Sequence, residues 1–330
     1  MSEYRFSKAV ALVVFNRLDC VVRQLEVLRN VKPPRLYVIS DGPRAEKIGE
    51  KEKVEEIRTY IEKEVDWECD LIKIYSETNM GCDSRTISGY SEVFKREEDA
   101  VLLEDDTIAC EEYYRFAEKM LDYYKDDKRI MMISGFNIYP EYKKEDYQYY
   151  FSRFPLIYAF ATWKRVWELF DYGEMKDFPK WNNRSLYKIM PRQVANMMRG
   201  RIYANYNGWG AWDSQFDFCM FSHEGFGVVS AVNLVQNCGT GRSDAFHAST
   251  AVDELMLTPY GKLSDQLNYR KELEWDREFD FCQASLRFGN KCDTGWLCML
   301  MRERILRFVK WSCPKWLYRK MQKIYKMRRS

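Results

Sequence analysis

The chain has 330 residues, of which 46% are hydrophobic and 16% aromatic, so it is long enough and apolar enough for a sizeable globular core and is not intrinsically disordered. Its formal net charge is only +2, and no run approaches the roughly 18 apolar residues that a membrane span requires. The apolar run 9–15 lacks a signal-peptide cleavage site, and the ten cysteines show neither CxxC pairs nor zinc spacing, so we expect a cytoplasmic protein with reduced thiols.

The first hundred residues alternate short apolar runs with helical patterns. Runs rich in Val, Ile and Leu predict buried strands at 9–15, 36–39, 71–75 and 100–103. Helices are predicted between them at 20–29, 51–63 and 85–94. Repeated strand–helix–strand units predict an α/β fold with a mostly parallel, Rossmann-like sheet flanked by helices.

Polar residues follow each of these four strands. They are Asn16-Arg17, then Asp41 in a Ser-Asp-Gly-Pro segment, then Asn79 in an Asn-Met-Gly segment, and finally Glu104-Asp105-Asp106. Each segment alone would be ordinary turn chemistry. Ligands of open parallel sheets bind beyond the carboxyl ends of the strands, so the four segments together favour a ligand crevice at that edge.

The carboxylates of Glu104, Asp105 and Asp106 are the strongest chemical signal of the chain. Three consecutive carboxylates beside a buried strand are costly unless something positive lies opposite them. Mg²⁺ or Mn²⁺ carrying a substrate diphosphate would fit, because these hard cations prefer carboxylate and phosphate oxygens. A solvated acidic loop is the alternative.

From about Tyr139 the sequence becomes rich in aromatic residues, notably in 147–151, 158–163 and 209–212. Such residues form aromatic cores or stack on sugars, and the pattern alone leaves both possibilities open. We expect a continuous chain of three segments: a Rossmann-like half at 1–110, an aromatic-rich half at 111–265, and a C-terminal helical extension at 266–330.

The last residues, 302–330, form a basic tail. They hold eleven Lys or Arg and one acidic residue, Glu303, which is a local net charge of +10 and leaves −8 for the remainder. Two amphipathic helical patterns with Trp311 and Trp316 near the break at Pro314 predict peripheral binding to an anionic membrane surface, here the inner face of the cytoplasmic membrane. A helix packed on the body is the alternative. No recognised nucleic-acid module accompanies the charge, so we expect no nucleic-acid partner.

Several segments in order resemble bacterial glycosyltransferases of the GT-A fold, in the broad family 2 grouping, over about residues 8–260. The layout is also similar to that of N-acetylglucosaminyltransferase I. The segments are 10–17 (VALVVFNR), 79–81 (NMG), 102–106 (LLEDD, which resembles the metal-binding DXD element), 133–137 (ISGFN), 161–167 (ATWKRVW), 233–239 (NLVQNCG) and 244–247 (DAFH).

The resemblance implies a nucleotide-sugar donor, a divalent Mn²⁺ or Mg²⁺ ion and transfer of the sugar to a hydroxyl group. It also implies that 1–110 is the nucleotide-sugar-binding half and 111–265 the acceptor-binding and catalytic half. Asp106 would ligate the metal directly, and His247 would contact the metal or the diphosphate. Glu104 and Asp105 would face the donor ribose and sugar or a metal-bound water. Arg242 would neutralise phosphate oxygens.

The other donor contacts also follow from the resemblance. Asp41 would accept a hydrogen bond from the uracil imide, and Phe15 and Arg17 would border the base. Arg85 would lie near the donor phosphates or sugar. Asn16 and Asn79 complete the expected donor-binding set.

The acceptor hydroxyl needs a general base, and inverting relatives supply a carboxylate for this role. Asp213, within Trp-Gly-Ala-Trp-Asp-Ser-Gln-Phe, aligns with the segment that carries it. Many relatives have two adjacent acidic residues here, whereas Ser214 follows Asp213. Asp217, which would share a helical face with Asp213, is the second candidate. A helix N-cap is the structural alternative for Asp213.

We therefore expect an inverting, metal-dependent glycosyltransferase that uses a UDP-sugar, such as UDP-N-acetylglucosamine or UDP-galactose. The basic tail favours a cell-surface glycan on a lipid carrier as acceptor. Two alternatives remain from other classes: a sugar-nucleotide pyrophosphorylase, although the glycine-rich segment it would need is missing after Val14, and a non-catalytic nucleotide- or glycan-binding module.

Overall fold

The fold is that of a computed structural model, which describes residues 4–143, 147–208, 210–242, 253–264 and 266–289. The strands are β1 (Ala9–Val14), β2 (Arg35–Ser40), β3 (Asp70–Tyr75), β4 (Asp99–Glu104), β5 (Thr107–Ala109), β6 (Ile130–Ser134), β7 (Tyr149–Ser152), β8 (Phe160–Trp163), β9 (Phe226–Ser230) and β10 (Val235–Asn237). The α-helices are α1 (Leu18–Val31), α2 (Glu50–Glu64), α3 (Cys82–Phe94), α4 (Glu111–Tyr123), α5 (Lys164–Trp167), α6 (Leu186–Ile189), α7 (Arg192–Tyr206), α8 (Trp212–Ser222) and α9 (277–289).

One eight-stranded sheet, in the order β3-β2-β1-β4-β8-β6-β9-β7, forms the centre of the molecule. The first four strands pair in parallel, β6 and β9 run in the same direction, and β8 and β7 pair antiparallel to their neighbours. The predicted α/β architecture with a large, mostly parallel sheet is therefore confirmed.

The burial of the strands explains why their positions could be predicted from the sequence. In β1 and β4 four consecutive apolar residues are buried, as expected for strands covered on both faces. β3 lies at the edge of the sheet, so none of its residues is fully buried and it includes Asp70 and Lys73.

Local signals also set the helix ends. α1 ends where Lys32 adopts a left-handed conformation (φ 50°) and donates its N–H to the Leu28 carbonyl, and Pro33 and Pro34 then prevent continuation. The helices begin earlier than predicted, by two residues for α1, one for α2 and three for α3, because each first turn carries an acidic residue that interrupts the apolar pattern (Asp19, Glu50 and Asp83).

The helices cover both faces of the sheet. α1 contacts both α2 and α4, while α3 packs on β1, β2 and β4 and contacts α5. A right-handed path through β1, β2 and β3 that then returns past β1 to β4 places α3 on the opposite face from α1 and α2. Gly89 permits the close approach of α3, because a Cβ there would come within 2.3 Å of the Ile39 side chain.

The aromatic-rich region continues the same sheet and supplies much of its core. Tyr149, Phe151, Phe160 and Trp163 are all buried in the main hydrophobic cluster. Between the two open possibilities, these four residues are core rather than exposed stacking surfaces. Trp212 is also buried and packs edge-on against Tyr90.

No helix within the described ranges is both long and apolar enough to cross a membrane. The basic tail at 302–330 lies outside the described residues. The division of the chain at 110 and 265 stays a prediction.

Candidate functional site

The strand order reverses between β1 and β4, which are hydrogen-bonded neighbours although two strands separate them in the chain. From this point the chain leaves towards β2 on one side and reaches β4 on the other. In open parallel sheets such a switch point opens a crevice at the carboxyl ends of the strands. The residues that follow β1 and β4 therefore border the same opening.

Glu104, Asp105 and Asp106 occupy the tight turn between β4 and β5 at this opening. The turn is held from below by Gln24 of α1, whose side-chain amide donates to the Glu104 carbonyl (3.1 Å) and to the Thr107 carbonyl (2.7 Å). Gln24 is fully buried. Gln24 is a polar residue within the apolar pattern of α1, and this could have indicated its role. The sequence analysis did not identify it.

Arg17, which follows β1, lies directly against the acidic turn. Its Nη1 is 2.6 Å from Asp106 Oδ2, and its Nη2 is 3.3 Å from Asp105 Oδ1. Burial opposes the charge on Arg17, but the negative charges of Asp105 and Asp106 outweigh burial and raise its pKa. Arg17 supplies the positive charge opposite the carboxylates, and its place beside a nucleotide base stays a prediction.

Two carboxylate oxygens of the turn have no partner among the residues that the structure describes. Asp105 Oδ2 and Asp106 Oδ1 are buried and accept no hydrogen bond from this part of the chain. Such atoms call for a bound cation, a water or another donor, and oxygen-only donors suit Mg²⁺ or Mn²⁺. Within the described residues no three His, Cys, Asp or Glu side chains form a ready-made metal cluster. His247, the other predicted metal ligand, lies outside the described residues.

The turn is covered by the segment that follows β10. β10 pairs antiparallel with β5, with Asn237 opposite Thr107, and the Cys238 N–H donates to the Asp106 carbonyl at 2.8 Å. Gly239 then passes so close that a Cβ there would lie 2.3 Å from Asp106 Oδ2. A glycine is thus required where this segment crosses the carboxylate.

Burial makes the acidic turn electrostatically unfavourable. Burial raises the pKa of Glu104, and the negative charges of Asp106, Asp105 and Asp213 add to the effect. Burial likewise raises the pKa of Asp105, although Arg17 opposes it. A second positive charge at this turn would reduce the repulsion between the carboxylates, which contributes to these raised pKa values.

Asp41 and Asn79 tie the ends of β2 and β3 together. The Asp41 carboxylate accepts hydrogen bonds from the Met80 and Gly81 amides (2.9 and 3.0 Å), and Asn79 Nδ2 donates to the Gly42 carbonyl at 2.9 Å. Burial raises the pKa of Asp41 against these hydrogen bonds. Both side chains therefore shape the crevice wall, which is a structural role that the sequence reading did not foresee.

Phe15 and Asn16 lie beside an ion pair between the partly exposed Arg44 and the buried Glu50. The Arg44 guanidinium is 5.5 Å from the centre of the Phe15 ring, and Asn16 Nδ2 donates to Glu50 Oε1 at 3.1 Å. Arg44 and Glu50 form a salt bridge with each other. This pair at the rim of the crevice had no signal in the sequence reading.

Arg85 and Arg242 occupy different environments. Arg85 is buried, and its Nη2 donates to the Ile74 carbonyl at 3.0 Å, while its Nε has no partner. Burial lowers the pKa of Arg85. Arg242 forms an ion pair with Asp19 at the start of α1, with Nη2 and Oδ1 3.2 Å apart, so it stands at the same end of the sheet as Arg17.

Asp213 and Asp217 lie in the first two turns of α8, as a shared helical face requires. Ala211 is the N-cap of α8, so Asp213 does not cap this helix. The Asp213 side chain is 44% exposed, and its Oδ2 lies 3.6 Å from Arg201 Nη2. Burial raises the pKa of Asp217 to about 8, opposed by the positive charge of Arg201.

α8 is anchored beside the acidic turn. The Trp212 N–H donates to Asp83 Oδ1 of α3 at 3.3 Å, and the charge of Asp213 is among those that raise the pKa of Glu104. Arg201 also donates to Ser214 Oγ at 2.7 Å, which fixes its guanidinium next to Asp213. Arg201 is a site residue that sequence reasoning missed, because the helix that carries it shows no motif.

No protein-family model and no curated protein sequence matches the chain. Solved structures that resemble it include the mannosyltransferase PcManGT from Pyrobaculum calidifontis in complex with GDP-Man and Mn²⁺, at 12% identity and a TM-score of 0.32, over 50% of this chain and 46% of that one. S. aureus TarS 1–349 matches at 11% identity and a TM-score of 0.39, over 72% of this chain and 61% of that one. The chain thus spans less than two thirds of either structure. At these identities and TM-scores, function has to be argued from the site itself.

Proposed function

We propose that the chain is an inverting, metal-dependent glycosyltransferase of the GT-A type that moves a sugar from a UDP-sugar donor to a hydroxyl group. One observation carries this assignment. A turn with three carboxylates, two of which have buried oxygens that meet no partner among the described residues, stands at the switch point of a mostly parallel sheet, with a further carboxylate on α8 nearby. A crevice of this kind suits a cation-bound diphosphate on one side and a proton acceptor on the other.

Asp106 and Asp105 are the residues that would hold Mn²⁺ or Mg²⁺, through the oxygens that lack partners. When bound, the cation supplies positive charge against the negative charge that develops on the leaving diphosphate. His247 is proposed as a further contact to the metal or diphosphate.

Arginine side chains of the chain itself add to this electrostatic stabilisation. Arg242, which pairs with Asp19 at the start of α1, is proposed to contact phosphate oxygens. Asp41 and Asn79 hold the loops of the donor side in position, and Asp41 retains acceptor capacity for a base imide. Phe15 and Asn16 form the opposite wall, and Arg85 stiffens the end of β3.

We assign to Asp213 the role of the general base that takes the proton of the acceptor hydroxyl. Its carboxylate is 44% exposed, so an acceptor can reach it, and Arg201 and Ser214 fix its orientation. Asp217 is the second candidate, because its raised pKa of about 8 suits a group that takes up a proton near neutral pH. Attack by the hydroxyl opposite the leaving diphosphate inverts the configuration at the anomeric carbon.

The acceptor class and the location are proposed from the tail. A net charge of +10 over residues 302–330 suits the anionic inner face of the cytoplasmic membrane, where a glycan on a lipid carrier would be presented. This part of the proposal is independent of the crevice chemistry.

The test is incubation of the purified chain with Mn²⁺ and a panel of UDP-sugars, with an assay for free UDP. We expect UDP release with one or a few sugars, which Asp106→Asn abolishes and EDTA suppresses. A sugar-nucleotide pyrophosphorylase would instead form UTP when pyrophosphate is added. A panel that yields neither product, with binding intact, would show a non-catalytic module and contradict the proposal.

A further inference from the structure

A second polar cavity lies away from the crevice, at the start of α7. Its volume is about 550 Å³, and it is lined by Arg184, Tyr187, Arg192 and Arg199. We call it the arginine cavity. It is formed by a 3₁₀ turn (Asn183–Ser185), by α6 and by the first half of α7.

Arg199 is fixed in place on one wall of the arginine cavity. Its Nη1 donates to the Tyr187 hydroxyl at 2.6 Å, and that hydroxyl donates to Asn196 Oδ1 at 2.7 Å. The guanidinium carbon is 5.7 Å from the centre of the Tyr187 ring. These contacts hold the guanidinium of Arg199 in place before any ligand arrives.

The charge of the arginine cavity is not balanced by nearby acids. Among the residues that the structure describes, no carboxylate oxygen lies within 4.0 Å of the guanidinium groups of Arg184, Arg192 or Arg199. Elsewhere in the chain arginines have such partners, as Arg35 has Glu97 and Arg129 has Asp127. Three cations around one cavity repel each other unless an anion joins them.

The side chains indicate the chemistry of that anion. Guanidinium groups bind phosphate oxygens in paired, planar hydrogen bonds, and clusters of arginines are a recurrent way to recognise phosphate. The cavity is larger than one inorganic phosphate needs, and so has room for a diphosphate or for a phosphate attached to an organic group.

We propose that the arginine cavity is a phosphate-binding subsite, separate from the donor crevice, that anchors a phosphate or diphosphate group of the acceptor. The choice of the acceptor as the source of the phosphate rests on the proposed function. The binding of phosphate does not, because it needs no transfer reaction.

The position of the arginine cavity on α7 separates it from the reaction. Arg192 and Arg199 are seven residues apart and lie on one face of α7. Arg201, two residues beyond Arg199, lies about 200° around the helix and contacts Asp213. The anchored phosphate is thus across α7, about 10 Å or more from the carboxylate, where it holds the acceptor without entering the chemistry.

The experiment is a calorimetric titration of the full chain with inorganic pyrophosphate in EDTA, so that no metal directs pyrophosphate to the acidic turn. We expect Arg199→Ala and the double variant Arg184→Ala/Arg192→Ala each to weaken binding at least about tenfold. Arg184 and Arg192 are exposed, so their removal should leave the fold intact. Arg129→Ala, which removes an exposed arginine far from the cavity, is the matched control and should bind as the parent does.

Tyr187→Phe gives a second readout, because it keeps the ring but removes the hydroxyl that positions Arg199. We expect an intermediate loss of pyrophosphate affinity with an unchanged melting temperature. If the double variant and Arg199→Ala bind pyrophosphate as tightly as the parent protein, the arginine cavity is not a phosphate site.

A vesicle assay distinguishes the two sources of phosphate. Phosphatidylglycerol vesicles that bind the full chain less after Arg184→Ala/Arg192→Ala, and that pyrophosphate displaces, would identify a lipid headgroup. Unchanged vesicle binding with a lost pyrophosphate site would identify a diphosphate or phosphate on the acceptor itself. Because neither arm uses a sugar donor, a failed transferase assay and a failed phosphate site are separate outcomes.

Discussion

Replacing Arg17 by methionine tests whether its guanidinium serves as the internal counter-ion of the acidic turn. Methionine keeps most of the side-chain length but removes the charge that faces Asp105 and Asp106. The three side chains are 17%, 5% and 14% exposed, so the pair is largely buried. Loss of one partner from a buried pair costs about 3–5 kcal/mol, and we expect about 3 kcal/mol here because some solvent remains.

The same change should strengthen metal binding. A divalent cation roughly 6 Å from a guanidinium is repelled by about 1.4 kcal/mol even at the dielectric constant of water, and by more inside the crevice. Without Arg17, the affinity for Mn²⁺ should therefore rise at least about tenfold. The lost stability should also return as Mn²⁺ is added, because a ligand that binds only the folded state stabilises it.

The measurements are urea unfolding in EDTA and in Mn²⁺, together with an electron paramagnetic resonance titration of free Mn²⁺. Arg35→Met is the control, because it breaks a pair with Glu97 (2.6 and 2.9 Å) remote from the acidic turn. The loss of unfolding free energy in Arg35→Met should be the same in EDTA and in Mn²⁺. An Arg17→Met variant whose Mn²⁺ affinity equals or falls below that of the parent would refute the counter-ion role.

Four further predictions concern the crevice, the fold and the tail. Asp213→Asn should lower turnover by about 10²–10⁴ while donor binding is kept, and normal transfer by this variant would rule out Asp213 as the base. Gly239→Ala places a Cβ 2.3 Å from Asp106 Oδ2 and should weaken Mn²⁺ binding at least about tenfold, whereas Gly289→Ala, where a Cβ meets none of the described residues within 4 Å, should not. Burial raises the pKa of Asp280 to about 7 although Ser152, Trp275 and the Arg153 amide donate to it, so between about pH 4 and 7 the folded chain holds a proton that the unfolded chain releases. The free energy of unfolding should thus fall by about 1.4 kcal/mol per pH unit over that window, about 4 kcal/mol in all, and urea unfolding of Asp280→Asn should lack this slope; parallel pH profiles would contradict it. Deletion of residues 302–330 should abolish vesicle binding and leave transfer to a soluble acceptor, and vesicle binding by the truncated chain would assign the membrane contact elsewhere.

The strands that the sequence alone predicted are those that a local pattern of apolar residues defines. β1, β2 and β4 carry runs of apolar residues that are typical of buried parallel strands, and the edge strand β3 keeps enough of this pattern to be predicted as well. β8 was not predicted, because Phe160–Trp163 is short and its antiparallel insertion between β4 and β6 is decided by pairing across the chain.

The sequence likewise indicated only some of the residues of the candidate site. Glu104, Asp105 and Asp106 stood out because three charges next to an apolar run are rarely accidental. The roles of Gln24 and Arg201 could not be predicted, because one supports a turn 80 residues away and the other contacts a different helix. The ion pair of Arg17 with Asp106 could not be predicted either, because a strand pattern gives no side-chain direction beyond the end of the strand.

The acidic turn and its surroundings come from distant parts of the chain, and this has a consequence for how the crevice forms. The carboxylates and Arg17 lie within the first 110 residues, whereas Gly239 and Asp213 reach them only through the β5–β10 pairing and the anchoring of α8 on Asp83. The first segment alone would leave Asp105 and Asp106 facing solvent on one side, where their carboxylates need no partner. Their buried, partly unsatisfied state is therefore created by the second half of the chain, and any cation affinity of the turn should depend on that half being folded.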